Sequence, residues 1–389
     1  MTNLTACKTA CAVVTLWFAG ASVLSAKTFK TLYSFSGLDG ANPYATVTMG
    51  TDGDFYGTTY DGGSVLGGTV FKMTPKGKLT TIYEFCHPQG VCYDGKYPDT
   101  VLVEGADGSF YGTTQWGGEQ GGYGTIFKVS RKGKLTTLHS FGGTDGTFPF
   151  GSMVLASDGN FYGTTQMGGA SNDGTVFRMT PRGNLTILYS FCSQANCADG
   201  QYPYGPIIQG SDGKFYGTTQ GGGGIAGCSC GTVFKITARG KLTTLHVFDG
   251  ADGENPWGGV VESADGDFYG TTAGGGGWGV GTVFRMSAHG ELTTLYAFKG
   301  SDGQAPYALM LSRDGRFYGT TSTDGANGGG TVFRISARGK LETLHDFGGA
   351  DGGLIYSGLI QDTDGSLYGT TFLGGSDDDG TIFRFPPTP

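Results

Sequence analysis

The sequence predicts an all-β protein: a seven-bladed β-propeller of four-stranded antiparallel blades, with an N-terminal strand that completes the last blade. Three observations predict it. The string Tyr-Gly-Thr-Thr begins at Tyr56, Tyr111, Tyr162, Tyr216, Tyr269, Tyr318 and Tyr368, in steps of 49 to 55 residues. Around each copy lie segments rich in Thr, Tyr, Phe, Val and Ile, bounded by Gly and Asp and without a helical period, which read as short strands. The last copy stops after Gly380-Thr381-Ile382-Phe383. The segment it lacks stands at the other end of the chain, as Phe29-Lys30-Thr31-Leu32-Tyr33-Ser34-Phe35. An open solenoid has no reason to split one repeat between its termini; a closed ring does.

The parts of a repeat follow a fixed order. In the first, Asp52-Gly53 turns into Phe55-Tyr56-Gly57-Thr58-Thr59, a Gly-rich stretch leads to Gly68-Thr69-Val70-Phe71, Lys76-Gly77 turns again, and Leu79 to Phe85 closes the unit. With the stretch after the loop Pro, residues 44–49, this makes four strands in about 50 residues, a propeller blade. Gly57 and its equivalents, inside the second strand, suit a close approach by another sheet. The propeller is expected over residues 27–389, with the strand at 28–35 pairing with a last blade at 356–384.

Residues 1–26 are expected to be a signal peptide. Lys8 is the only charged residue before Lys27, and the apolar run from Ala12 to Leu24 is followed by Ser25-Ala26. That run is shorter than the ~20 residues of a membrane span. No second apolar stretch follows, and the chain ends at Phe385-Pro386-Pro387-Thr388-Pro389. A secreted protein, extracellular or periplasmic, without a transmembrane anchor is the expectation.

Composition agrees with a packed chain. Of 389 residues 76 are Gly, without a Gly-X-Y period, and aromatics make up 13%. Collagen and disorder are excluded. The net charge of −8, with no basic cluster, makes nucleic acid a poor partner. A monomer is expected.

Spacing places the variable parts on one side. Phe71 to Leu79 spans the same eight residues in all six intact copies. The connection between blades and the one between strands two and three vary. Alternating strands bring these two connections out on one face, and function tends to sit on variable loops over a rigid scaffold. Six cysteines fall in the insertions there: Cys86, Cys92, Cys192, Cys197, Cys228 and Cys230. Disulfides are expected, Cys86–Cys92 and Cys192–Cys197 first. Cys228-Ser229-Cys230 would need a bridge across one residue, so the pairing among the last four stays open, with a four-thiolate zinc site as the minor alternative.

Candidate ligand-binding residues are aromatic. Trp116 and Trp278 lie among glycines on the variable face. The position after the loop Pro is Tyr44, Phe150, Tyr204, Trp257, Tyr307 or Tyr356 in six repeats and Asp99 in the seventh. Such rings, beside polar groups, either stack on sugars or pack between blades. Catalytic signals are thin. Two sets of Asp recur in register, Asp39 to Asp351 and Asp52 to Asp364, and read as Asp-Gly turn chemistry. The densest sources for Ca²⁺ are Asp377-Asp378-Asp379 and Asp52 with Asp54, and no calcium-loop pattern accompanies them; no cofactor is otherwise implied. His139, His246 and His345 stand where other repeats have Tyr, and His87 alone is off the pattern, too little for a triad or a zinc site. The off-register acids Glu84, Asp99, Glu104, Glu119, Glu254 and Asp346 could hide a glycosidase pair.

Tyr56-Gly57-Thr58-Thr59, the Gly-Gly after it and Gly68-Thr69-Val70-Phe71 resemble the GloVer-type repeat, or "choice-of-anchor", family of exported bacterial proteins, over nearly all of the chain from Lys27. The period is also similar to that of kelch propellers. The resemblance implies a secreted or cell-surface repeat protein and carries no functional residues with it. The first expectation is therefore a secreted, non-enzymatic module binding extracellular carbohydrate or a surface protein through the variable face. A polysaccharide hydrolase or lyase using off-register carboxylates, and a structural or adhesive surface protein, are the alternatives.

Overall fold

The computed structural model describes residues 29–86, 92–119 and 122–386. The expected signal peptide at 1–26 and His87 lie outside these residues. Seven four-stranded antiparallel sheets form seven blades, and six of them take their strands in chain order. The seventh combines Ile360–Gln361, Leu367–Thr371 and Thr381–Phe385 with Lys30–Ser34 from the start of the described chain. In that pair Lys30 faces Arg384 and Ser34 faces Thr381, and a bulge lies between Thr31 and Tyr33. Among the described residues no helix is long and apolar enough to cross a membrane.

The repeated motif is the part of each blade closed off on both faces. All five residues of Phe55–Thr59, and of its six equivalents, are buried. A buried hydroxyl must find a partner, which explains the Thr-Thr pair. The second Thr meets the Thr that opens the third strand, as in Thr59 with Thr69, at 2.8–3.0 Å in all seven blades. In six blades the first Thr reaches into the next blade, as Thr113 donates to the Pro149 carbonyl and Thr218 to that of Pro256; Thr164 is the exception, its buried hydroxyl without a partner. Thr370 of the last blade donates to Ala45 of the first at 3.0 Å. The motif Tyr ring stacks on the next blade's Phe, Tyr56 on Phe110 at 4.0 Å, and Tyr368 meets Phe55 at 4.5 Å across the closure.

Two sequence expectations change in detail. The glycine in the motif does make room for a close approach, but for its own blade. Gly57 faces Phe71 in register, and a Cβ at Gly57 would lie 2.5 Å from that ring. Six of the inner strands are shorter than residues 44–49 predicted, with only Thr48–Met49 paired in the first blade, while the sixth runs over Gln304–Leu311. The residues before them turn towards the ring axis, and this positions the channel described below.

The in-register Asp residues serve the scaffold. Tyr56 donates to Asp52 at 2.8 Å and Tyr162 to Asp158 at 2.8 Å, and the same bond ties the motif strand to the turn before it in five blades. In the other set the fourth strand donates to the loop that follows, Tyr83 to Asp94 at 2.8 Å and Tyr189 to Asp199 at 2.7 Å. His139, His246 and His345 take the same role towards Asp145, Asp252 and Asp351 at 2.7–2.8 Å. Burial works to raise the Asp145 pKa, and the bonds from His139 and the Gly142 amide outweigh it, leaving the carboxyl below its usual range.

Candidate functional site: the loop face and the axial cavity

The two variable connections of a blade share one face because they pair with each other. Isolated bridges join Ala41 to Asp61, Lys96 to Trp116, Thr147 to Met167, Gln201 to Gly221, Glu254 to Gly274 and Gly353 to Leu373, each linking an inter-blade loop to the chain just after a motif strand. All three disulfides stiffen this face: Cys86–Cys92, Cys192–Cys197 and Cys228–Cys230. The open pairing thus resolves to neighbours in sequence. The carboxylate of Asp173 lies near Cys192 and Cys197, whose sulfurs bond each other, so the zinc alternative loses its thiolates.

The large exposed apolar side chains collect on this same face. Leu38, Leu66, Tyr93, Trp116, Tyr123, Ile225 and Trp278 are all exposed, and every one lies in an inter-blade loop or a loop between strands two and three. Trp278, 66% exposed, sits between Gly277 and Gly279, where a Cβ would meet nothing within 4 Å. Trp116 is 43% exposed and rests edge-on against Phe148 at 4.5 Å. Sequence reasoning found the two indoles and missed the rest. Leu38 and Tyr93 carried a signal, since both precede an in-register Asp where other repeats have Thr144, Ala251 or Ser301.

Charge divides between the two faces. Among the described Lys and Arg residues, only Lys96 and Lys299 lie in loop-face connections. The opposite, turn face holds paired charges: Lys72 with Asp52 and Asp54 at 3.1 and 2.8 Å, Lys128 with Asp107, and Arg131 with Glu104. Asp52 and Asp54, one of the two calcium candidates, are thus engaged by a lysine. The other, Asp377-Asp378-Asp379, lies on the loop face. There burial, and then Asp377, Asp378, Asp39 and Asp61, raise the Asp379 pKa. The loop face is acidic.

The residues after the loop Pro converge on the axis. Tyr44 of the first blade and Tyr204 of the fourth meet hydroxyl to hydroxyl at 2.5 Å. Tyr44 stacks on Tyr356 at 5.0 Å and stands edge-on to Tyr307 at 6.4 Å; Phe150 stacks on Tyr204 at 4.9 Å, and Trp257 lies 6.1 Å from Tyr204. Burial raises the Tyr44 pKa to about 12, against the lowering effect of the Tyr204 bond, and burial raises those of Tyr204 and Tyr307 further. Tyr44, Phe150, Tyr204, Tyr307, Tyr356 and Asp99 line a cavity of about 110 Å³ with Thr46, Ser152 and Ser357; Trp257 stands outside this lining, its buried indole N–H without a partner.

Asp99 is the exception among these positions. It is 4% exposed, and neither carboxylate oxygen has a hydrogen-bond partner; the Thr46 hydroxyl, in the same lining, has none either. Burial holds the Asp99 pKa well above the usual carboxylate range. The other off-register acids stay away from the cavity. Glu84 accepts from Ser64, Glu104 from Thr51 and Arg131, and Asp346 from the Ala326 amide. Asp99 is the single carboxylate of the described lining, so the geometry assembles no glycosidase pair there.

The motif that builds each blade, seven times over, decides the family. The chain belongs to the Gloeobacter/Verrucomicrobia repeat family. The family model matches residues 22–228 and 193–383. Among solved structures, this repeat protein is similar to virginiamycin B lyase from Staphylococcus aureus, at 17% identity and a TM-score of 0.62 over 92% of this chain and 98% of that one. It is similar also to the extracellular domain assigned to a hybrid two component system from B. thetaiotaomicron, at 11% identity and a TM-score of 0.60 over 92% of this chain and 42% of that one. At these identities the likeness shows the propeller fold alone. No curated protein matches the chain.

Proposed function

We propose that this repeat protein is an exported, non-enzymatic binding module whose loop face holds extracellular carbohydrate. The observation that carries the reading is the gathering of exposed apolar and aromatic side chains, two of them indoles, on the single face where the loops vary in length. Indole and phenol rings stack on the C–H faces of pyranoses, while Asp side chains and the glycine-rich backbone bond hydroxyls. Three disulfides support export, since such bonds persist in oxidising compartments. The acidity of the face favours neutral or amine-bearing glycans and repels sulfated or uronate polymers.

A glycan array followed by calorimetry tests this. The intact chain is expected to bind a neutral or amine-bearing polysaccharide, and Trp278→Ala and Trp116→Ala are each expected to weaken binding about tenfold without shifting the unfolding midpoint. Trp278 carries the larger effect, since it is the more exposed and rests on glycines. Binding by neither the intact chain nor any variant, or full affinity in both variants, would retire the reading.

A further inference from the structure

We propose that the axial cavity is a binding site for an alkylammonium group, held by Asp99 inside a cage of tyrosine rings. Of the seven equivalent positions after the loop Pro, five place aromatic rings in the lining, Trp257 stands outside it, and the seventh places a carboxylate among the rings. Both Asp99 oxygens and the neighbouring Thr46 hydroxyl lack partners in a lining where buried polar groups are otherwise bonded. Ser357 donates to the Thr370 carbonyl, Ser152 accepts from the Val101 amide, and Tyr44 is bonded to Tyr204. What the cavity lacks is a donor of positive charge.

Three features select the class of ligand. A hard divalent cation takes six to eight oxygen ligands, usually from several carboxylates, and this lining has one. Aromatic faces attract ammonium ions through the ring quadrupole, most strongly out of water, and aromatic cages recognise alkylated ammonium groups in this way. The cavity of about 110 Å³ has room for roughly three or four waters' worth of ligand at ~30 Å³ each, the size of a methylated ammonium head. A primary ammonium would give N–H bonds to Asp99 and Thr46; a methylated one would rely on the carboxylate charge and the rings of Tyr44, Tyr204, Tyr307 and Tyr356. The inference stands apart from the glycan reading, because it concerns the axis and not the exposed indoles.

The test uses the intact chain with methylammonium, trimethylammonium, Ca²⁺, K⁺ and, as an uncharged control of similar shape, tert-butanol, followed by calorimetry and by shifts of the thermal midpoint. Saturable binding of an ammonium ion, at least tenfold tighter than tert-butanol and weakened at least tenfold in Asp99→Asn, is the expected result. Trp278→Ala should leave it unchanged. The ligand series on the unaltered chain keeps the test decisive should the variant fold poorly. No saturable ammonium binding, equal binding of tert-butanol, undiminished binding in Asp99→Asn, or binding of Ca²⁺ or K⁺ alone would each overturn the proposal.

Discussion

Removing residues 29–36 is expected to abolish the cooperative unfolding transition of the whole ring, not merely to fray one blade. The segment supplies the outer strand of the seventh sheet. Phe35 is fully buried and packs on Phe71 of the first blade at 5.4 Å, while Phe29 stacks on His345 of the sixth at 3.9 Å. The Phe35 amide donates to the Gly380 carbonyl at 3.0 Å. One strand therefore touches three blades, and its loss exposes the edge of Thr381–Phe385 to pairing with other chains. Truncating a buried Phe to Ala alone costs about 3–5 kcal/mol. Set against a typical stability of about 5–15 kcal/mol, Phe35→Ala should lower the denaturant midpoint strongly and the deletion should leave no stable ring. Urea unfolding followed by tryptophan fluorescence checks both, and a deletion variant that unfolds at the wild-type midpoint would be incompatible with closure by this strand.

Asp99→Asn is expected to stabilise the protein at pH 8, unusually for a core substitution. Burial raises the Asp99 pKa in the folded state, while the unfolded chain titrates near 3.9. Between those two values the folded protein keeps a proton that the unfolded chain has lost, so this group makes stability fall as pH rises. Tyr44, Tyr204, Tyr307 and Tyr60 face Asp99 and bring no positive charge to offset it. The amide carries no charge, so Asp99→Asn should gain about 1–3 kcal/mol at pH 8, the scale of an unsatisfied buried polar group. The gain should shrink towards pH 4. Thermal midpoints at pH 4.5, 6 and 8 read it, and a variant less stable than wild type at pH 8, or a difference constant with pH, would contradict the burial of an unpaired carboxyl. A costly group kept at a position that is aromatic in six other blades fits the binding role proposed for it.

Much of the fold was legible because the repeat wrote it seven times. Asp-Gly, Tyr-Gly-Thr-Thr and Gly-Thr-Val-Phe each mark a place where backbone geometry or a buried hydroxyl admits few residues, as the Thr59–Thr69 bond and the Gly57–Phe71 pair show. The split repeat disclosed the closure, and insertions disclosed the variable face. The site was legible only in outline. Trp116 and Trp278 stood out by type, and Asp99 by breaking the aromatic pattern, but its lack of partners depends on how segments more than fifty residues apart meet at the axis. Pattern along one repeat carries no such information. Nor does spacing reveal that residues 44–47 leave the sheet, because an inner strand and a channel lining have the same composition.

The account rests on closure of the ring, and one cross-link tests it most directly. Lys30 and Arg384 face each other across the closing pair, an antiparallel pairing that sets Cα atoms about 4.5–5.5 Å apart, within the span of a disulfide. In Lys30→Cys/Arg384→Cys, mild oxidation should join the two thiols completely within one chain, without unfolding. Because the bond locks a loop of nearly the whole protein, the chain-entropy model gives a gain of about 6 kcal/mol, read as a large rise in the urea midpoint that reduction reverses. Two thiols that stay free in the folded protein, or that join only between chains, would show that the first strand lies elsewhere and that the ring is open.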